Sequence, residues 1–479
     1  MASHSRTYFL ALILTVFSVM SVNAFPFSKS NVESYSFVDE IRVSIMNHLD
    51  LDAVSVSSRT GSMTVMTDSE SFSIRNSESV SLVRRNDRVE LKIGGKKISS
   101  PFVTIVSPPG GSFDVQVNNR SNIRTYTGSL EVGVQDRSTD LDIVNRVPLE
   151  DYVASVVGAE YGLDDLEGAK AMAVVVRTYA LHALQSGKNV SDGESFQVYR
   201  GLSHSNEASR QAARSTAGQI LTHDSSLIEA VYSASNGGHT AANHSVWGTT
   251  PKPYLRARKD PFDAKVSPHK KWKWSVDTRK LKKVFSDIYG FEVTDILISD
   301  TSDDGRVTDV RLRGNGGSRN ITGSSFRATI ARSFNETSLK STYFKMRKSG
   351  GSYDFDGHGF GHGVGLSQWG AHGMALDGRS YFEILEFYYA GSRIEQSPAS
   401  GLEAPGVEIN VLTQSGNSEQ TGSWTSNPRR ASHSDRGDKA PTERDSKASE
   451  NSEATKPETS DSRESEKRTG RKRKSRIGW

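Results

Sequence analysis

The stretch Asp356-Gly357-His358-Gly359-Phe360-Gly361-His362-Gly363-Val364-Gly365 places a glycine at every second position. Glycine loses more backbone freedom on ordering than any other residue, and in a strand it leaves no side chain to pack. Such a run is neither a stable helix nor an ordinary strand interior. It is a backbone held close to something else, and the rest of the chain must supply whatever holds it. Ser367 follows two residues later and can cap a following helix. His358 and His362 raise the question of zinc. The glycines argue against the helix that usually presents such a pair, and no third ligand is evident, so structural hydrogen bonds are the favoured role.

Far upstream the pattern changes. Residues 33–146 read as strands joined by turns: Ile41-Arg42-Val43-Ser44-Ile45 and Val89-Glu90-Leu91-Lys92-Ile93 alternate apolar and polar side chains, and Gly94-Gly95 and Pro108-Pro109-Gly110-Gly111 mark turns. No ionisable cluster stands out there, which points to a β-rich accessory region. Helices begin near Val147. Val153, Val156 and Val157 recur at helical spacing, and Glu160 lies three and four residues beyond the last two. That puts a carboxyl on the apolar face of its own helix. Desolvation raises such a pKa above the ordinary value of about 4.3, and a carboxyl still protonated near neutral pH can act as a general acid. The plainer alternative is a helix-end glutamate that reaches water or pairs with a cation.

In the next helix, with Asp164 or Asp165 as cap, Lys170, Ala173, Val174, Arg177 and Leu181 share one stripe. Two cations among small apolar residues either pair with acids such as Glu160 or line a polar cleft. A cation beside Glu160 lowers its pKa and opposes desolvation; spacing leaves the outcome open. After a helix at 205–217, a hairpin over 219–235 around His223-Asp224-Ser225-Ser226 is expected. It leads into Tyr232-Ser233-Ala234-Ser235-Asn236-Gly237-Gly238-His239-Thr240. Hydroxyls, an amide and two glycines suit close approach to a hydroxyl-rich ligand, although turns use the same residues. A small α/β module follows over 271–345, with a strand at 271–276, a helix at 278–289 and a hairpin around Asp303-Asp304-Gly305.

Composition narrows the classes. The 479 residues contain no cysteine, which excludes disulfides, thiolate metal sites and a cysteine nucleophile. A net charge of +4 gives no basic stripe of the kind nucleic-acid binders show, so no nucleic-acid partner is expected. Residues 1–24 read as an export signal: Arg6, an apolar run over 9–22 that is shorter than the roughly 20 residues needed to span a bilayer, then Val22-Asn23-Ala24. An uncleaved N-terminal anchor is the other reading, and both place the chain outside the cytoplasm, in the periplasm or cell envelope. Residues 413–466 lack Leu, Ile, Val, Phe and Met, which reads as a disordered tail. It ends in a basic cluster from Lys467 to Arg476 that is either a solvated tail or a contact for anionic lipid or acidic wall polymer.

Several blocks taken in order resemble one family. They are Val147-Pro148-Leu149-Glu150-Asp151-Tyr152-Val153 running to Glu160; Glu167-Gly168-Ala169-Lys170-Ala171-Met172-Ala173-Val174 with Arg177-Thr178-Tyr179-Ala180; Gln197-Val198-Tyr199-Arg200-Gly201; Tyr232 to Thr240; Trp247-Gly248 with Pro253-Tyr254-Leu255; and Gly361 to Ala371, closing on Tyr388-Tyr389-Ala390-Gly391. Over residues 38–396 the chain resembles the SpoIID/LytB family, named for stage II sporulation protein D. The resemblance implies a peptidoglycan lytic transglycosylase, which cleaves the MurNAc–GlcNAc bond of glycan strands stripped of stem peptides and leaves a 1,6-anhydro-MurNAc end. It implies Glu160 as the catalytic acid. Lys170, Arg177, Tyr232, Ser235, Asn236, Gly237, Gly238, His362, Ser367 and Gln368 are the expected glycan-binding groups, with Lys170 and Arg177 fixing Glu160 or a lactyl carboxylate. Part of the family is described as amidase enhancers, so a glycan-binding partner of a cell-wall amidase is the alternative. Some members bind zinc through cysteines where this chain has Phe196 and Ser235, so no metal and no cofactor is expected. The chain thus reads as α+β: a β-rich N-terminal lobe (33–146), a helical catalytic core (147–396) with a small α/β insertion (271–345), and a disordered tail (413–479).

Overall fold

The computed structural model describes residues 40–397 apart from 50, 77, 118–121, 135–139 and 336–337. The export signal and the basic tail lie outside the described residues. The fold is α+β, with two β-sheets at its N-terminal end. A seven-stranded sheet runs from Val190–Ser191 through Glu40–Ser44, Leu141–Pro148, Ser129–Val134, Val103–Val106 and Met63–Met66 to Ser71–Ile74. A six-stranded sheet is built on Ala53–Thr60 and Ser112–Val117. Alternation explains the layering. Ile41, Val43, Val54, Val56, Val89 and Leu91 all face inward with almost no exposure, while most of their neighbours in the chain are more exposed.

This lobe is joined to the helical part by its own strands. Leu141–Pro148 runs directly into helix α1 (Leu149–Glu160), so the sheet sets that helix's direction. Glu40–Ser44 pairs antiparallel with Leu141–Pro148 and parallel with Val190–Ser191, which lies beyond the second helix, α2 (Leu166–Gln185). Asp165 is the cap of α2 and accepts from the Gly168 N–H at 2.6 Å. Every residue of α2 from Ala171 to Thr178 is buried, as its run of Ala and Val requires.

The expected hairpin over 219–235 is corrected. Gln219–His223 does turn back onto Ser226–Leu227, but that returning strand stops after two residues. Tyr232–Ser233 pairs instead, in parallel, with Leu366–Ser367 at the end of the glycine-rich run. Glycines 359, 361, 363 and 365 all have positive φ, and a Cβ on Gly365 would lie 2.1 Å from the Val231 carbonyl oxygen. The glycine-rich backbone is therefore held against the Tyr232–Thr240 strip.

The small module has its own core, which includes Trp272, Leu281, Phe285, Val310, Phe326, Phe344 and Phe355. It extends past the expected boundary at 345, because Ser352–Gly357 pairs with both Trp272–Asp277 and Phe344–Ser349.

Candidate active site

Glu160 ends α1 with 2 % of its surface exposed. Its Oε1 accepts the Val198 N–H at 2.8 Å. Its Oε2 is buried with no well-directed hydrogen bond among the described residues. The Tyr232 hydroxyl acts on the same carboxyl. That hydroxyl also accepts from Gln197 Nε2 at 3.4 Å, and the Gln197 carbonyl oxygen accepts from Tyr152 at 2.8 Å. The ring of Tyr179 packs between Phe196 (5.1 Å) and Tyr232 (6.5 Å). The result is a dry, aromatic-walled corner holding one carboxyl.

Burial pushes the Glu160 carboxyl up to about 7, against the lowering pull of the Val198 N–H and the Tyr232 hydroxyl. The exposed Glu194 adds to the rise, and Arg200 is the cation that opposes it. This resolves what spacing left open: desolvation outweighs the cation, and the cation is neither Lys170 nor Arg177.

Both of those expected neighbours are corrected. Lys170 binds Glu167 Oε1 at 2.7 Å, one turn back on its own helix, and lies over the Tyr381 ring. The Arg177 side chain is wholly buried and gives Glu150 two bonds, of 2.9 and 2.5 Å, with another to the Gln219 carbonyl oxygen. That pair ties α2 to the start of α1. Arg177 lines no cleft.

Beyond Tyr232 the strip is bonded to two buried aspartates, Asp260 and Asp263. Ser235 and Ser367 point to Asp263, which they reach at 3.0 and 2.6 Å. Asp263 also accepts the Asn236 and Gly237 N–H groups at 3.2 and 3.1 Å. The Asn236 amide donates to Asp260 at 2.6 Å and in turn accepts from the Gly238 N–H. Ser235, Asn236, Gly237, Gly238 and Ser367 are thus occupied inside the protein, a correction to the expectation that they hold ligand hydroxyls. Ser367 also caps the helix Gln368–Leu376. His362 is structural as well: its Nδ1 accepts the Val364 N–H at 3.1 Å, and its ring bonds to the Tyr232 backbone. Burial and the Arg327 charge push it down to about 4, so it stays neutral. Gln368 is fully buried, and neither atom of its amide has a hydrogen-bond partner among the described residues.

Two residues that matter here escaped the sequence reading, Asp263 and Arg306, and Gln197 entered it only within a motif block, without a role. The buried Arg306 guanidinium comes from the hairpin of the small module. It pairs with Asp304 at 2.9 Å, donates to the carbonyl oxygens of Asn236 and His239 at 2.8 and 2.9 Å, and sits where a Cβ on Gly363 would be. The glycines of the run were the available signal: they leave room for a large group. Among the described residues, no cluster of three or more His, Asp or Glu is placed to hold a metal ion.

Comparison with known proteins bears on the stretch of chain that holds Glu160. Residues 137–223, which include α1, α2 and Gln197, match a family described as SpoIID, stage II sporulation protein. The chain is 32 % identical over 258 residues to an uncharacterized protein of Brachyspira hyodysenteriae, covering 52 % of this chain and 67 % of that one. The chain belongs to the SpoIID/LytB family. Other members confirm the breadth of the match. The amidase enhancer of Bacillus subtilis is 30 % identical over 360 residues, 60 % of this chain and 50 % of its own, so this chain spans about half of that relative. Stage II sporulation protein D of the same species is 29 % identical over 276 residues, 53 % of this chain and 77 % of its own. Residues 268–365, which hold Arg306 and the glycine-rich run as far as Gly365, match a domain of unknown function (DUF8618).

Proposed function

We propose that the chain is an exported peptidoglycan lytic transglycosylase that acts on peptide-stripped glycan strands with Glu160 as its proton carrier. The observation that carries this reading is the Glu160 carboxyl, lifted to about 7 by burial in an aromatic corner. A group that must give up a proton and then take one back works best when its pKa lies near the working pH. Glu160 protonates the glycosidic oxygen as the bond from the MurNAc anomeric carbon breaks. The C6 hydroxyl of the same sugar then bonds to that carbon, and its proton returns to Glu160. No second carboxylate is needed, unlike most glycosidases. Tyr232 and Gln197 position the acid.

Digestion of peptide-free glycan, read by mass spectrometry, tests this. Wild type releases anhydro-ended products and Glu160→Gln releases them about 10³-fold more slowly. Ordinary reducing ends in place of anhydro ends would overturn the reading and point to hydrolysis.

A second reading, a non-catalytic glycan-binding enhancer of a cell-wall amidase, is favoured by one observation: both oxygens of Glu160 are covered, with Oε2 sealed from water. The amidase enhancer relative agrees with it. Under this reading the purified protein binds denuded strands, releases no product and raises the rate of an added amidase. Export rests on residues 1–24, and envelope retention through anionic lipid or wall polymer rests on the basic residues 467–476. Removing residues 413–479 then lowers retention and its sensitivity to salt.

A further inference from the structure

We infer that Trp247, with the groove beside it, forms an additional sugar subsite that extends the glycan path away from Glu160. This rests on the glycan-binding part of the proposed function and not on the chemistry. Trp247 ends the helix Asn243–Trp247 and remains 40 % exposed, an unusual state for the largest side chain in a folded region. Its ring is not loose: it packs on the His362 ring at 5.2 Å, which fixes the plane it presents to solvent. A hollow of about 560 Å³ opens beside it, with Thr249, Thr250, Lys252, Tyr254 and Glu229 among its walls. Lys252 and Glu229 pair at 3.3 Å across it.

The chemistry fits one class of ligand. A pyranose offers a flat apolar C–H face and a rim of hydroxyls. An exposed indole covers the face, while threonine hydroxyls and a Lys–Glu pair meet the rim. A purely apolar partner would leave that polar rim unmatched.

Side-chain contacts link the wall of the groove to the Glu160 corner by two routes. Trp247 touches His362, whose ring is bonded to the Tyr232 backbone. Glu229, on the other wall, acts electrostatically on Tyr179, which packs on Tyr232. Both routes end at Tyr232, the residue whose hydroxyl bears on Glu160. In this proposal a strand long enough to run from Glu160 to Trp247 gains a second contact there, and a shorter one gains none.

The test is calorimetric binding of chitobiose and chitotetraose to the full chain carrying Glu160→Gln, so that cleavage plays no part. Trp247→Ala is expected to weaken the tetramer about tenfold and leave the dimer unchanged, tenfold being about 1.4 kcal/mol. Trp247→Phe, which keeps a ring and the local packing, is expected to retain most tetramer affinity but to lose the quenching of indole fluorescence that the tetramer causes. The subsite is overturned if Trp247→Ala leaves the tetramer unaffected, if it weakens both lengths equally, or if the quenching persists in Trp247→Phe. Failure of the catalytic reading would appear elsewhere, as wild type that binds the tetramer but releases no anhydro product.

Discussion

Two of the buried carboxyls among the described residues, Asp263 and Glu160, are treated in opposite ways. Asp263 is surrounded by donors: two serine hydroxyls and two backbone N–H groups. Glu160 has one backbone N–H on one oxygen and no well-directed partner on the other. Burial raises both, Asp263 to about 6 and Glu160 to about 7. A buried polar group costs stability unless it is bonded, so a carboxyl with a full set of donors is an anchor. One with an idle oxygen is a destabilising element that structure alone does not explain, and such residues are candidates for function. The pair separates architecture from chemistry within one region.

The sharpest way to break this contrast is to remove each carboxyl and ask what is lost. Glu160→Gln is expected to cost about 10³-fold in product release, the scale of a general acid, with the fold intact by circular dichroism. The same variant tests the destabilising element directly. Because the folded-state pKa is raised, the native protein binds more protons than the unfolded chain between about 4.5 and about 7, so stability falls as pH rises through that window. Glu160→Gln should therefore melt at a higher temperature than wild type at pH 8 and at nearly the same temperature at pH 4. A wild-type melting temperature that rose between pH 5 and pH 7 relative to the variant would contradict the assignment.

Asp263→Ala should do the reverse. It leaves several buried donors without an acceptor, at roughly 1–3 kcal/mol each, and an unfolding free energy lowered by at least about 3 kcal/mol is expected in denaturant titration. Arg306→Met ranks next. It strands the Asp304 carboxylate and two carbonyl oxygens, and about 3 kcal/mol of destabilisation is expected by the same measurement. The smallest effect is expected from Tyr232→Phe. Its hydroxyl holds the Glu160 pKa down, so its loss raises that pKa further and moves the alkaline limb of the pH–rate profile upward, with about a tenfold fall in rate.

The burial of Glu160 was legible because helical spacing alone places it on an apolar face. The strands from Glu40 to Pro148 were legible from alternation, and the capping of helices by Asp165 and Ser367 from composition at the right position. The partners of the cations were not. Arg177 is claimed by Glu150, 27 residues away, because a strand feeds α1 at an angle that no local pattern encodes. Lys170 had a nearer acid at Glu167, three residues back, which competes with any distant partner. Asp263 and Arg306 depend on which strip lies beside the glycines. That choice was made by a two-residue parallel pairing, too short to leave a periodic signature.

The Arg306 contact joins what the chain order keeps apart. The insertion, with its own core, grips the Tyr232–Thr240 strip through two carbonyl oxygens, and Tyr232 in that strip reaches the acid. The strip beside the acid is therefore held from two sides, by the glycine-rich backbone and by a guanidinium lent from the insertion, so its position depends on a part of the chain that contributes nothing to the Glu160 corner itself.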